Sequence, residues 1–174
     1  MKHANLVLVG FMGTGKTVTG RRMAARLGRE FVDMDAVIEA RAGRSIPQIF
    51  AREGETYFRG LERALVRELA ARQDLVIAAG GGVVLDPENL RDFERTGVTI
   101  CLTATPEAIL QRVGRSSRRP LLEGGDKDQQ IRDLLEKRKA IYEAIPRRVD
   151  TTDRTPDEVT ELVLALYAEA PPAR

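Results

Sequence analysis

The segment that most constrains this chain is a glycine-rich loop close to its N-terminus. Residues 10–17 read Gly-Phe-Met-Gly-Thr-Gly-Lys-Thr and match the pattern G-x-x-x-x-G-K-S/T. The apolar run from Leu6 to Val9 predicts a buried strand before the loop, and Met23 and Leu27, four residues apart, favour a helix after it. A strand, this loop and a helix in succession form a phosphate-binding turn, because glycines let backbone amides close around an anion at the helix N-terminus.

The residue types in this loop predict a nucleoside triphosphate as the ligand. Lys16 would place positive charge on the β- and γ-phosphates, and the hydroxyl of Thr17 would be a ligand of Mg²⁺. The dinucleotide pattern G-x-G-x-x-G does not fit, because the glycines stand at positions 10, 13 and 15. The sequence also has no Asn-Lys-x-Asp motif of the kind that GTPases use to read the base, so a small-molecule kinase is favoured. The alternative is a simple glycine turn with an exposed lysine.

Strand-like and helix-like runs alternate along the 174 residues, which suit a single domain. The alternation predicts βαβ units around a parallel sheet with helices on both faces. The expected strands are residues 5–9, 30–33, 75–79, 98–102 and 147–150. Expected helix N-caps are Ser45, Asp86, Thr105 and Thr155, the last in a capping box with Glu158.

Composition excludes several classes of partner and site. The 28 Lys and Arg against 26 Asp and Glu leave a net charge of +2, too small to predict a nucleic-acid partner. The single cysteine, Cys101, rules out an internal disulfide. The longest apolar and glycine run, residues 75–85, is well short of the roughly 18 residues of a membrane span. Cleavage of a secretory signal after the apolar run at residues 6–9 would also discard the phosphate loop, so we expect a cytoplasmic protein without a membrane partner.

Carboxylates and glycines at predicted strand ends form a second group of candidate contacts. If the second strand continues through Asp33 to Asp35, both carboxylates face the same side of the sheet at its carboxyl edge. Carboxylates there hold Mg²⁺ through water or accept hydrogen bonds from substrate hydroxyls. The alternative is that one of them is the N-cap of a helix starting near residue 36. The three glycines Gly80 to Gly82 follow the third strand, where they bring backbone close to a ligand or form a flexible turn.

Arginines supply candidate anion contacts. Arg59 and Glu62 stand three residues apart on a predicted helix. The carboxylate either orients the arginine toward an anion or forms a surface ion pair with it. Arg138 lies seven residues after Ile131 in an apolar stripe, where it needs a partner or ligand unless its side chain extends to solvent. Residues 108–122 contain four arginines and no acid, which predicts a mobile flap over an anion or a solvated loop.

Together these motifs resemble the shikimate kinases, the P-loop kinases of aromatic amino-acid biosynthesis. The resemblance covers about residues 5–166, and its markers are the segments 10–17, 33–35, 58–62, 80–82 and 119–122. It implies a nucleoside-monophosphate-kinase-like α/β/α fold with a five-stranded parallel sheet in the order 2-3-1-4-5. It also implies a lid at about residues 113–126 and a shikimate-binding region at about 33–62. The implied reaction transfers the γ-phosphate of ATP to the 3-hydroxyl of shikimate, with Mg²⁺, in a monomer.

The resemblance further implies roles for individual residues. Lys16, Asp35 and Arg119 would be catalytic, with Arg119 reaching the transferring phosphoryl group from the lid. Thr17 would bind Mg²⁺ directly and Asp33 through water. The ATP contacts would be Gly13, Thr14, Gly15, Lys16, Thr17, Val18, Arg112, Arg119 and Arg154. The shikimate contacts would be Asp35, Arg59, Gly80, Gly81, Gly82 and Arg138. One departure is Ala79, where the family more often has a hydroxyl residue.

Two alternatives share part of this pattern. A gluconate kinase would have the phosphate loop and the lid but not this set of arginine and glycine motifs. A non-catalytic sensor of the kind joined to helix-turn-helix regulators would have the same domain. The presence of Lys16, Asp33, Asp35 and Arg119 favours an enzyme.

Overall fold

A computed structural model of the protein describes residues 4–114 and 126–170, and the structural statements below concern those residues. Their strands are β1 (Asn5–Gly10), β2 (Glu30–Asp33), β3 (Leu75–Ala78), β4 (Gly97–Thr103) and β5 (Arg148–Asp150). The strands form one sheet in the order β2-β3-β1-β4-β5, and every neighbouring pair is parallel. The expected order is confirmed, and each strand lies within two residues of its predicted bounds.

The helices of the described residues separate and flank these strands. They are α1 (Lys16–Leu27), α2 (Met34–Ala42), α3 (Ile46–Glu53), α4 (Glu55–Ala70), α5 (Pro87–Thr96), α6 (Pro106–Val113), α7 (Lys127–Glu143) and α8 (Pro156–Ala168), with a 3₁₀ turn at Val83–Leu85. None of these helices has the length and apolar character needed to cross a membrane. All four predicted N-caps are confirmed, and the side chains of Ser45, Asp86, Thr105 and Thr155 each accept a hydrogen bond from a first-turn amide.

The apolar run of β1 is unbroken because both faces of the central strand are buried. Leu6 and Leu8 pack with α1 and α8 on one face, in a cluster that includes Met23 and Val163. Val7 and Val9 belong to the larger cluster on the other face, which the remaining helices cover. The sheet is therefore the middle of three layers, and only its edges and strand ends are available to a ligand.

The strand order determines where the site lies. Because β1 is central, with β3 and β4 on either side, the loops at its carboxyl end and at that of β3 are neighbours. An added Cβ at Gly81 would be 3.5 Å from the backbone nitrogen of Met12, so the glycine turn after β3 touches the phosphate loop. The chain thus brings residues 10–17 and 80–82 together through strand pairing alone.

The burial of Cys101 leads to a prediction about its reactivity. The side chain lies on β4 with no exposed surface, and burial raises the pKa of its thiol to about 11. Because the thiolate is the reactive form, we expect a water-soluble disulfide reagent at neutral pH to leave the native protein unlabelled and to label it fully in concentrated urea. Cys101 is the only cysteine in the sequence, so the labelling has one source. Rapid labelling of native protein would contradict the buried position of β4.

Candidate active site

The phosphate loop is closed by hydrogen bonds to its own carbonyl oxygens. The ammonium of Lys16, the first residue of α1, donates to the carbonyl oxygens of Gly10 and Phe11, each at 2.8 Å. The hydroxyl of the buried Thr14 donates to the carbonyl oxygen of Phe11 at 2.7 Å. Gly15 precedes the helix with φ at +95°, a conformation that glycine adopts without strain. The loop therefore ends at a helix N-terminus with a lysine charge held against it, the arrangement that binds phosphate groups.

Thr17 and Asp33 meet beside this helix N-terminus. The Thr17 hydroxyl donates to Oδ2 of Asp33 at 2.9 Å, joining the first turn of α1 to the end of β2. Asp33 is also the N-cap of α2, since its Oδ1 accepts from the amide of Ala36 at 3.3 Å. The sequence left two interpretations open for this carboxylate: a ligand contact at the end of the strand, or a helix N-cap. In the structure, one oxygen of Asp33 caps α2 and the other accepts from Thr17.

Asp35 does not lie where the sequence argument put it. Strand β2 ends at Asp33, and Met34 and Asp35 form the first turn of α2, so the expectation of two carboxylates on one strand face was wrong. The cap made by Asp33 satisfies an amide of α2, and the strand ends at residue 33, the predicted bound, without continuing to Asp35. Asp35 nevertheless reaches the glycine turn from the helix: an added Cβ at Gly80 would be 3.0 Å from its Oδ1.

Arg59 and Glu62 form a largely buried pair rather than one on the open surface. Nη1 of Arg59 is 2.5 Å from Oε1 of Glu62, whose side chain is only 2% exposed, and Nη2 is 3.2 Å from Oε1 of Glu55. The guanidinium also lies 5.4 Å from the ring centre of Phe58. Burial raises the pKa of the Glu62 carboxyl, and the positive charge of Arg59 opposes that rise. The pair orients the guanidinium toward Gly82, where an added Cβ would be 2.4 Å from Nη1.

Arg138 is buried and does not extend to solvent. Its side chain crosses from α7 to the glycine turn, with Nη1 within 3.5 Å of the carbonyl oxygen of Gly81. The guanidinium also lies 5.8 Å from the ring centre of Phe11 in the phosphate loop. Tyr142, one turn later on α7, donates its hydroxyl to the same Gly81 oxygen at 2.8 Å. Helix α7 is thereby fixed to both loops of the site.

Two guanidinium groups and two carboxylates therefore surround the glycine turn. The carboxyl of Glu62 is close enough to Asp35 for the negative charge of Asp35 to raise its pKa further, and Arg138 opposes that effect. Guanidinium groups bind carboxylates in a bidentate manner, and an aspartate accepts hydrogen bonds from hydroxyls. Ala79, just before the turn, is buried and contributes its amide to the carbonyl oxygen of Leu8 at 2.9 Å, but no hydroxyl. The arrangement suits a small acid that carries hydroxyl groups.

The remaining predicted nucleotide contacts lie on the other side of the phosphate loop. Arg112 on α6 donates to the carbonyl oxygen of Gly13 at 3.1 Å and to that of Thr151 at 2.7 Å. Arg154 donates from Nε to the carbonyl oxygen of Asp150 at 3.0 Å. Val18 on α1 is half exposed. Arg119 and most of the expected lid fall outside the described residues.

Thr151 is a site residue that the sequence reasoning missed. It is buried directly after β5, and its hydroxyl lies 3.2 Å from the carbonyl oxygen of Thr14. The only sequence signal is a hydroxyl residue at the carboxyl end of a predicted strand, the edge at which such sheets bind ligands.

Comparison with known proteins decides between the candidate families. The family model for shikimate kinase matches residues 12–167. The chain belongs to the shikimate kinase family. It is 48% identical over 165 residues to the shikimate kinase of Pelotomaculum thermopropionicum, which covers 95% of this chain and 96% of that relative. The solved structure of the shikimate kinase from Acinetobacter baumannii in complex with shikimate superposes with a TM-score of 0.90 at 38% identity, covering 94% of this chain and 92% of that one.

The alternative of a gluconate kinase shares the fold with this family. A gluconokinase from Sinorhizobium meliloti superposes with a TM-score of 0.62 over 95% of this chain, but at 17% identity. That likeness concerns the fold alone. The membership in the shikimate kinase family makes the chain a phosphotransferase and favours an enzyme over the non-catalytic sensor.

The two contacts of Asp33 lead to a prediction about stability. Replacing Asp33 with alanine removes the cap of α2, and we expect the free energy of unfolding to fall by about 1 kcal/mol. Asp33→Asn keeps an oxygen for the Ala36 amide and is expected to unfold like the wild type. Urea unfolding followed by circular dichroism, without nucleotide or metal, measures both. Equal losses in the two variants would contradict the capping role.

Proposed function

We propose that this chain transfers the γ-phosphate of ATP to the 3-hydroxyl of shikimate, giving shikimate 3-phosphate and ADP in the pathway to chorismate and the aromatic amino acids. The observation that carries the proposal is the placement of Arg59, Arg138 and Asp35 around a glycine turn that touches the phosphate loop. A donor site and an acceptor site thereby adjoin each other. The family membership and the shikimate bound to the Acinetobacter baumannii relative support the same acceptor.

On the donor side, the phosphates would lie over the backbone amides of residues 13–17. Lys16 would move from the loop carbonyls to the β- and γ-phosphates, where its charge stabilises the transferring group. The oxygens of Thr17 and Asp33, 2.9 Å apart, suit Mg²⁺, which prefers oxygen ligands and keeps several waters. Thr17 would hold the metal directly and Asp33 through water. A magnesium ion held by these residues would supply positive charge that neutralises the phosphate oxygens.

On the acceptor side, the substrate carboxylate would bind between the guanidinium groups of Arg59 and Arg138. Glu62 holds the guanidinium of Arg59 and the carbonyl oxygen of Gly81 holds that of Arg138 before substrate arrives. Little side-chain entropy is therefore lost on binding. Asp35 would accept the hydrogen bond of the attacking hydroxyl and take its proton as the new phosphate ester forms. The backbone of residues 80–82 would lie against the ring, where a side chain would occupy the space.

The nucleotide contacts beyond the phosphate loop remain proposals. Val18, Arg112 and Arg154 would flank the base and sugar. Arg119, outside the described residues, would add positive charge to the phosphoryl group during transfer, from a lid at about residues 113–126. We further propose that the enzyme acts as a monomer in the cytoplasm.

A coupled assay of ADP release tests the function directly. Shikimate, gluconate and nucleoside monophosphates are compared as acceptors at equal concentration, and we expect turnover with shikimate alone. Lys16→Ala should lower that turnover by about a thousandfold or more, because the lysine charge acts on the transferring group. Unchanged melting temperature shows that the variant is folded. Faster turnover with gluconate than with shikimate would overturn the proposed acceptor.

The contact between Gly82 and Arg59 leads to a second kinetic prediction. An alanine at position 82 would place its Cβ 2.4 Å from Nη1 of Arg59 and displace the guanidinium, while the backbone at φ −101° tolerates the change. We expect the KM for shikimate to rise about tenfold and the KM for ATP to stay the same, because a misplaced arginine loses the bidentate contact. Steady-state kinetics with each substrate varied in turn gives both constants.

A neighbouring glycine supplies the matched control. Gly60 lies on α4 beside Arg59, and an added Cβ there meets no atom within 4 Å. Gly60→Ala should leave both KM values unchanged and stabilise the helix slightly. If Gly82→Ala and Gly60→Ala behave alike, Arg59 does not bind the acceptor from its position against the glycine turn.

A further inference from the structure

The hydroxyl of Thr151 lies where four parts of the chain meet. Its Oγ1 is 3.0 Å from Nη1 of Arg112, 3.2 Å from the carbonyl oxygen of Thr14 and 3.0 Å from that of Thr103. The contacts join α6, the phosphate loop and the end of β4 to the segment after β5. The residue is only 3% exposed, so these contacts meet little competition from water.

Counting donors and acceptors assigns a direction to these contacts. A hydroxyl has one proton to donate and two lone pairs to accept with. Arg112 can only donate, so the Thr151 oxygen accepts from it. The carbonyl oxygens of Thr14 and Thr103 both lie within reach of the one hydroxyl proton. The Thr103 oxygen also receives the backbone amide of Thr151 at 2.8 Å, so a proton directed to Thr14 gives both oxygens a donor.

Two successive carbonyl oxygens of the phosphate loop therefore accept hydrogen bonds from side chains outside the loop. Arg112 donates to the oxygen of Gly13 at 3.1 Å, and Thr151 donates to that of Thr14. In a planar trans peptide the carbonyl and the following amide point in opposite directions. Fixing these two oxygens on the outside of the loop turns the amides of Thr14 and Gly15 toward its inside, where the phosphates would lie.

We propose that Thr151 is a positioning residue for the nucleotide phosphates, acting through the carbonyl of Thr14 and through its hydrogen bond with Arg112. This inference rests on the proposed function only in that residues 13–17 bind the phosphates of ATP. Thr151 itself touches no substrate in this arrangement. It sets the direction of the loop amides, and so the affinity for any polyphosphate, whatever the acceptor of the kinase is.

The test removes the hydroxyl while keeping the shape of the side chain. Thr151→Val should weaken binding of ADP and of inorganic tripolyphosphate by about tenfold each, the size expected when a hydrogen bond linked to a charged group is lost. Isothermal titration with each ligand measures the binding without any acceptor substrate. Thr151→Ser keeps the hydroxyl and should restore most of the affinity. Thr151→Cys, with a weak S–H donor, takes the place of the valine variant if that variant does not fold.

Tripolyphosphate separates this role from contacts with the base, because it has no adenine. If Thr151→Val weakens ADP but not tripolyphosphate, the residue acts on the nucleoside and the proposal is wrong. The KM for shikimate should change less than twofold, as an acceptor site on the other side of the loop requires. A parallel increase in the KM for shikimate would mean a general distortion and would also overturn the proposal.

Thr160 provides a control for a purely structural loss. It is equally buried, and its hydroxyl donates to the carbonyl oxygen of Pro156 within α8, away from the phosphate loop. Thr160→Val should change the melting temperature but not the affinity for tripolyphosphate. If Thr151→Val matches Thr160→Val in both measurements, Thr151 has only a structural role. Because polyphosphate binding is measured without an acceptor, failure of this proposal is distinguishable from failure of the proposed shikimate reaction.

Discussion

The site depends on the absence of a side chain at Gly10. This residue is paired with Leu102 in the register between β1 and β4, and its backbone has φ at +142°. A Cβ here would be 2.2 Å from the Leu102 carbonyl oxygen, which no real structure accommodates. The chain therefore leaves the sheet at its last paired residue and turns at once into the phosphate loop. The glycine turn after β3 and the segment after β5 then touch this loop because their strands belong to the same parallel sheet.

Around that loop the protein keeps charges buried. Glu62 is almost inaccessible and Arg138 is 5% exposed, although unpaired buried charges are costly. Each has a partner that belongs to the site: Arg59 for Glu62, and the Gly81 carbonyl with the face of Phe11 for Arg138. Such an arrangement contributes little to stability compared with apolar packing. It holds two guanidinium groups in position at the glycine turn, as the proposed binding of an acid there requires.

The sequence predicted some features and missed others for identifiable reasons. The phosphate loop and the four helix caps depend on a few neighbouring residues, so their patterns were enough. Asp35 was assigned to a strand because the alternation of side chains was extended past Asp33, whose capping bond ends the strand. The strand order came from a resemblance to a known family, since periodicity alone predicts a parallel sheet without fixing the order of its strands.

The sequence by itself determined the local elements: an apolar run that makes a central strand, glycines that make a phosphate-binding turn, and caps that begin helices. These depend on interactions within about four residues, and a sequence displays them directly. Tertiary structure alone decided that Glu62 is buried, that Arg138 reaches Gly81, and that Thr151 lies against Thr14, 137 residues away in sequence. The physical reason is that burial and hydrogen-bond partners arise where helices and strands pack, and no spacing along the chain records which surfaces meet.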